Sequence, residues 1–231
     1  MHRFVPRLTL AALAFAVLPV AAQDEVRTVS NGGVHVQGWR GQVDPSEAAR
    51  GHTIENARFA AEAGGFKVTT GPASVFWNTA ERASGNYVVK ATFTEPEYMN
   101  VNDHPHPYGI VIGGSDLGTE NARYLYCAAY GNGTYIMRGF GPAPFQLNGR
   151  RGEANAAINK AAGKGQPVTQ EIAVSVHGDQ VSCSINGTQV GSWPKSEVVG
   201  EGKLLSTDGF YGVRFAHNTD GIVKGLTLQK H

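Results

Sequence analysis

Apolar and polar residues alternate along most of the chain. In residues 181–186 every second residue is apolar, which is the period of a strand buried on one side. Asn186-Gly187 follows, a pair suited to the positive φ angles of a two-residue type I′ turn. The chain can then return antiparallel as far as Trp193, and residues 172–176 alternate in the same way upstream. The pattern predicts a three-stranded meander.

Further alternating segments recur between glycine, proline and asparagine turns, among them Gly64-Gly65, Gly71-Pro72 and Gly131-Asn132-Gly133. Residues 153–165 are the exception, because they are rich in alanine and do not alternate, which favours a short helix or an ordered loop. Many short strands with turns between them predict an all-β fold. We expect a two-sheet antiparallel jelly-roll sandwich.

The N-terminus has the three parts of a secretory signal peptide. A basic start is followed by the apolar run Leu8 to Leu18 and by small residues ending at Ala22. We therefore expect a cleavable signal peptide at 1–22, a flexible lead-in at 23–33 and a single β domain at 34–231. A secreted or periplasmic location follows. No later segment is apolar enough to predict membrane insertion.

Charge excludes some partners of the mature chain. Cleavage after residue 22 removes two of the 20 Lys and Arg residues, which leaves 18 against 19 Asp and Glu. A net charge near −1 without basic clusters argues against nucleic acid and against an anionic membrane surface as partners.

The two cysteines, Cys127 and Cys183, each lie on the apolar side of a predicted strand. Export would allow them to form a disulfide, which would close a loop of about 57 residues and contribute roughly 4 kcal/mol. The alternative is that both are buried free thiols that pack as small apolar residues.

The strands follow one another in the order FKVTTGPASVFWN, NYVVKATF, YGIVIGGSDL, RYLYCAAYGNGTYIMRGF, IAVSVHGDQVSCSINGTQV and GFYGVRFAHN. This order resembles the secreted concanavalin A-like jelly rolls of the laminin G and 3-keto-disaccharide hydrolase-like type, over about residues 34–229. Its most recognisable parts are Asn186-Gly187, Gly209 and Gly212-Val213-Arg214. The resemblance implies the fold and suggests a glycoside as ligand or substrate, although one fold hosts many functions.

Endoglucanases of this fold carry a Glu-x-Asp-x-x-Glu strand, and the chain has no such motif. The nearest pair is Glu95 and Glu97, whose spacing puts both carboxylates on one side of a strand. Pro96 lies between them at a predicted strand end, where charged groups usually face water. A classical retaining glucanase is therefore disfavoured.

The loop NVNDHPHPYG contains Asp103, His104 and His106. Imidazole suits zinc or copper, and two prolines stiffen the loop, so these residues have the chemistry to begin a metal site. Two histidines do not complete one, and a polar loop of this kind is usually solvated. We therefore assign no metal ligand and no cofactor, and keep a metal only as a lesser alternative.

Three tyrosines, Tyr124, Tyr126 and Tyr130, lie on the strand face opposite Leu125 and Cys127. Sugar rings stack their C–H faces on aromatic rings, and tyrosine hydroxyls bond to sugar oxygens. We therefore predict an exposed aromatic face that binds carbohydrate. The alternative is a second small core beneath the 153–165 loop.

Two further residues are predicted as ligand contacts. Arg214 alternates with inward apolar residues and offers a directional donor on the tyrosine face, and Asn218 lies just past the same strand. The predicted partner is a carbohydrate ligand or polysaccharide.

Two other functions stay open. The first is a hydrolase or lyase that acts on 3-keto-glycosides, which would need a base and an acid; the candidates are His177, His217, His104 and His106. The second is a non-catalytic scaffold or interaction module of the cell envelope.

Overall fold

The protein is a sandwich of two antiparallel-rich β-sheets. The computed structural model describes Met1 and residues 25–231. It is 53% strand and 5% helix, which confirms the predicted all-β jelly-roll class. The predicted signal peptide at 1–22 lies outside the described residues apart from Met1.

The first sheet has eight strands, and the parallel pairing of its first two is the exception to an antiparallel order. The C-terminal strand lies in the middle, so it ties the two halves of the sheet together. In spatial order the strands are β1 (Gly33–Val34), β3 (Ala57–Glu62), β4 (Gly65–Thr70), β16 (Asp220–Lys230), β6 (Tyr87–Glu95), β12 (Val168–His177), β13 (Gln180–Ile185) and β14 (Thr188–Pro194).

The second sheet is antiparallel and carries the candidate site. Its strands in spatial order are β10 (Pro144–Gln146), β9 (Thr134–Phe140), β8 (Arg123–Tyr130), β7 (Tyr108–Ser115), β15 (Gly209–Phe215), β5 (Ser74–Ala83) and β2 (Trp39–Val43), and β11 (Glu153–Ala154) also pairs with β9. The helices are α1 (Pro45–Ala48), α2 (Lys195–Val198) and a 3₁₀ turn at Ile54–Asn56.

The predicted meander is confirmed, since β12, β13 and β14 pair antiparallel in sequence. Asn186 and Gly187 have φ angles of 50° and 78°, as a type I′ turn requires. The Asn186 amide also donates to the carbonyl of Ala157 over 2.8 Å, which fixes residues 153–165. That segment is an ordered loop containing β11, so the predicted alternative of a short helix is wrong. Turns and side-chain hydrogen bonds take the place of helical backbone hydrogen bonds there.

The core between the sheets is apolar and is crossed by one disulfide. Cys127 on β8 and Cys183 on β13 are fully buried and bonded, with their Cα atoms 6.2 Å apart. Because the two strands belong to different sheets, the bond links the two layers of the sandwich.

The described part of the lead-in is hydrogen-bonded to the domain. The Arg27 guanidinium donates to both carboxylate oxygens of Asp220, over 2.7 and 2.9 Å, and to the carbonyl of Thr70 over 2.8 Å. A partly buried ion pair therefore connects this part of the lead-in to β4 and β16.

Candidate functional site

Strand alternation determines which side chains of the second sheet lie on its outer face, meaning the side turned away from the first sheet. On β8, Leu125 and Cys127 point into the main core, and Tyr124 and Tyr126 point to the outer face with its own apolar cluster. Their cross-strand neighbours on β9 are Phe140 and Arg138, respectively. The predicted facing of the tyrosines is therefore confirmed.

Their predicted exposure is wrong. Tyr124 and Tyr126 are each only 2% exposed. The Tyr124 hydroxyl donates to Asp44 over 3.1 Å, at the junction of β2 and α1. The Gln42 side chain bonds to Gly118 and Thr119 and holds the 116–122 loop beside this junction.

The sequence left open that the 153–165 loop covers the tyrosines. This loop packs elsewhere. The backbone amide of Ala161 donates to the carbonyl of Gly131 over 2.8 Å, at the turn between β8 and β9. The outer face is therefore partly covered from the β2 side and open toward β9.

Arg214 lies at the centre of the outer face. Its guanidinium contacts the Asp44 carboxylate, and its Cζ atom is 4.5 Å from the centre of the Tyr126 ring. Arg214 is 5% exposed and Asp44 is 7% exposed, so a charged pair is buried against an aromatic ring. As predicted from alternation, Arg214 shares the face of the tyrosines. Its Nη2 donates to the Asp44 carboxylate, whereas its Nε is buried and has no hydrogen-bond partner among the described residues.

A cleft of about 970 Å³ opens beside this pair. Half-buried Tyr130 is more accessible than the other two tyrosines, and burial raises its pKa to about 12, so its hydroxyl is protonated at neutral pH. The wall residues used below are Tyr126, Tyr130, Phe140, Arg138, Arg151, Arg214, Glu120, His104, His106 and His217.

One wall of the cleft is formed by three histidines. Nε2 of His106 lies 3.0 Å from Nε2 of His104, and the ligand nitrogens of these two rings and His217 all lie within 4.8 Å of one another. His104 and His106 precede β7, and His217 follows β15. Because Tyr108 and Phe215 are paired across β7 and β15, the two connections leave the sheet side by side.

His106 is the most buried ring of the three, at 3% residue exposure. Burial, together with the neighbouring His217 and His104, lowers the pKa of His106 to about 3. His106 is therefore neutral at physiological pH, and one of its two ring nitrogens carries no proton.

Two predicted site residues do not line the cleft. Asn218 is 3% exposed and adopts a φ of 51°; its amide accepts from the backbone of Arg27 and donates to the carbonyl of Glu25, each over 2.9 Å. These two hydrogen bonds hold the lead-in in place. Asparagine is one of the few residues other than glycine that tolerates a positive φ. His177 is exposed at the end of β12 in the first sheet.

The carboxylates of Glu95 and Glu97 do not form a pair. Glu95 continues the inward side of β6, is 4% exposed and accepts from the amide of Met99, whereas Glu97 is exposed and bonded to Asn100. Burial raises the pKa of Glu95 to about 7. The expectation that both face water is wrong for Glu95, because alternation continues to the last residue of the strand.

Sequence reasoning missed several residues of the cleft. Asp44 directly precedes α1, and it belongs to no catalytic or ligand-binding motif in the sequence. Arg138 alternates with Met137 on β9 and could have been assigned to the tyrosine face from its strand pattern. Phe140 faces Tyr124 across the strands and lies 5.0 Å from it, ring centre to ring centre.

No protein-family model matches the chain, and no curated protein matches it. Solved structures do share the fold. The carbohydrate-binding module CBM66 from Bacillus subtilis is 11% identical with a TM-score of 0.54, covering 88% of this chain and all of that one. A Bacillus subtilis protein of unknown function with a galectin-like fold is 13% identical with a TM-score of 0.55, covering 90% of this chain and 94% of that one.

These likenesses define the class of fold. The chain is a jelly-roll sandwich with the galectin-like fold. The narrower resemblance to 3-keto-disaccharide hydrolase-like proteins has no matching family model. Within the described residues, no helix has the length and apolar character needed to cross a membrane.

Proposed function

We propose that the cleft on the outer face of the second sheet binds carbohydrate. The observation that carries this proposal is the arrangement of Tyr130 and Phe140 beside the Arg138 guanidinium in one open cleft. A sugar ring has apolar C–H faces and a rim of hydroxyls, so it needs a flat apolar surface next to fixed hydrogen-bonding groups. The cleft offers both.

The polar lining is suited to hydroxyl groups. Arg138 is half-buried, and its Cζ atom lies 5.5 Å from the centre of the Phe140 ring, which restricts its orientation. Arg151 and Glu120 are exposed at the cleft, so a donor and an acceptor are available near its opening. A volume of about 970 Å³ suits a ligand of oligosaccharide size.

The shared fold supports the proposal without carrying it, since one of the similar structures is a carbohydrate-binding module. We also propose that the protein is exported with 1–22 as its signal peptide. The Cys127–Cys183 disulfide supports an oxidising compartment, because such bonds seldom persist in the cytosol.

A glycan array followed by calorimetric titration of the best ligand tests the proposal. Tyr130→Ala should weaken binding about tenfold and Tyr130→Phe much less, since the phenyl ring keeps the stacking surface. Arg138→Gln should weaken binding as well. Arg82→Gln is the matched control, because Arg82 lies over Phe210 in the same manner but outside the cleft. Unchanged binding in both Tyr130→Ala and Arg138→Gln would rule out this cleft.

The second candidate function is cleavage of an oxidised glycoside, and the three histidines on the cleft wall favour it. Removal of a proton beside a keto group requires a base within reach of the ligand, and neutral imidazole is suited to that role. Turnover of 3-keto-glycosides by the wild-type protein and by His104→Gln, with and without a chelator, tests this function. A scaffold role gains no support from an open cleft of this kind.

A further inference from the structure

Three histidines from two separate connections meet at one point of the cleft wall. His104 and His106 come from the stiff Asp-His-Pro-His-Pro loop, and His217 comes from the turn after β15. The backbone amide of Ala216 donates to the carbonyl of Pro107 over 2.9 Å and holds the two connections together. The arrangement is therefore built by the sheet.

The hydrogen bonds made by Nδ1 of His104 and of His106 determine the protonation of the Nε2 atoms, which face each other. Nδ1 of His106 lies 2.6 Å from the backbone carbonyl of His217, and a carbonyl only accepts, so this nitrogen carries a proton. Nδ1 of His104 lies 2.6 Å from the Asp103 carboxylate and donates in the same way. In the neutral rings both Nε2 atoms then present lone pairs.

Two lone pairs that face each other at 3.0 Å repel unless a positive charge lies between them. A shared proton would join two of the rings, whereas the ligand nitrogens of all three histidines lie within 4.8 Å of one another. A metal ion accounts for all three, because four-coordinate zinc with Zn–N bonds of ~2.0–2.1 Å places its ligand nitrogens about 3.3 Å apart. The measured 3.0 Å is close to that value.

We propose that His104, His106 and His217 bind one divalent transition-metal ion, with Nε2 of His104 and His106 as two of its ligands. Imidazole donors favour zinc, copper, nickel or cobalt over calcium and magnesium, which prefer oxygen. The Asp103 carboxylate and the His217 carbonyl would orient the ligand rings, as such partners do in protein metal sites.

The position of the site gives the ion a further role. Because all three histidines line the cleft, a fourth coordination position would face a bound ligand. There the ion would bind a hydroxyl or keto oxygen of the sugar and polarise it as a Lewis acid. This second part rests on the proposed function, whereas the binding of the ion does not.

Metal titration of the full chain without any glycan tests the first part. After treatment with a chelator and dialysis, the protein should bind one equivalent of Zn²⁺ by calorimetry. It should give the visible absorption of a tetrahedral Co²⁺ complex. His104→Gln and His217→Gln should each lower the affinity at least about 100-fold, and Asp103→Asn about tenfold. His177→Gln, which changes an exposed histidine outside the cluster, should leave the affinity unchanged.

The proposal is overturned if the chelated protein binds no ion, or if His177→Gln weakens binding as much as His104→Gln does. It is also overturned if ¹⁵N spectra of the imidazoles show an Nε2–H···Nε2 bond that persists with excess Zn²⁺. His104 is exposed, so its variant should fold, and circular dichroism checks this. Glycan titrations with and without chelator separate failure of the metal site from failure of the glycan cleft.

Discussion

The Arg214 guanidinium is held between two groups of the outer face: the Asp44 carboxylate and the ring of Tyr126, whose centre lies 4.5 Å from Cζ. The pair joins β15 to the end of the edge strand β2. It therefore anchors the segment that covers Tyr124, and it forms the floor from which the cleft opens.

Breaking this buried pair should destabilise the protein strongly. Asp44→Asn should lower the free energy of unfolding by about 3–5 kcal/mol, because it leaves a buried guanidinium without its countercharge. Urea denaturation measures the change. The double variant Asp44→Asn with Arg214→Met should lose less than the sum of the two single variants; a strictly additive loss would contradict the coupling.

Glu95 should make stability fall as pH rises from about 4.5 to about 7. Its pKa is raised from 4.5 to about 7 in the folded protein, so the folded state holds this proton more tightly than the unfolded state does. Its stabilising contribution is full below about pH 4.5 and is lost as pH rises to about 7, by about 3 kcal/mol in total. Glu95→Gln should reduce this dependence in unfolding curves between pH 4.5 and 8. A wild-type slope retained by the variant would contradict it.

The disulfide between the sheets should contribute mainly to stability. The double variant Cys127→Ala, Cys183→Ala should lower the free energy of unfolding by about 4 kcal/mol, since the bond closes a 56-residue separation in the unfolded chain. Chemical denaturation of the oxidised, reduced and double-alanine proteins measures it. Equal midpoints for the oxidised and reduced proteins would be the contrary result.

Asn186 should act both as a turn residue and as an anchor. Its amide donates to Ala157 and Gln170 and accepts from the backbone of Glu171, all over 2.8 Å. Asn186→Gly keeps the turn and should cost about 1–2 kcal/mol through lost hydrogen bonds. Asn186→Ala should cost about 1 kcal/mol more, because alanine disfavours a φ of 50°. Equal thermal stability of the two variants would contradict this separation.

The alternation of β8 and the Asn186-Gly187 turn are sufficient to predict these strands and the facing of their side chains, because both signals are local. The recurrence of such segments along the chain predicts the fold class. The solvent exposure of a side chain, in contrast, depends on residues that are distant in sequence. Tyr124 is buried by Asp44, 80 residues away in sequence, and no pattern within β8 indicates this. Glu95 shows the same limit: β6 ends directly before Pro96 as predicted, but a position at the strand end does not indicate that the Glu95 side chain is buried.

The histidine cluster depended on strand pairing. His104 and His106 were recognisable as an incomplete set of ligands, but His217 joins them because Tyr108 pairs with Phe215. The pairing of β7 with β15, distant in sequence, cannot be read from either strand alone. Asn218 was assigned to a ligand for the same reason: its partner, Arg27, lies at the other end of the chain.

Backbone amide chemical shifts under titration with soluble oligosaccharides, such as cellotetraose, laminaritetraose and xylotetraose, test the central claim most directly. If the outer-face cleft binds carbohydrate, at least one of them should shift the amides of Ile136 and Arg138 on β9 and of Tyr130 on β8. The amides of Ser182 and Ser192, on the first sheet, should stay in place. Shifts confined to the first sheet, or none at millimolar ligand, would contradict the account.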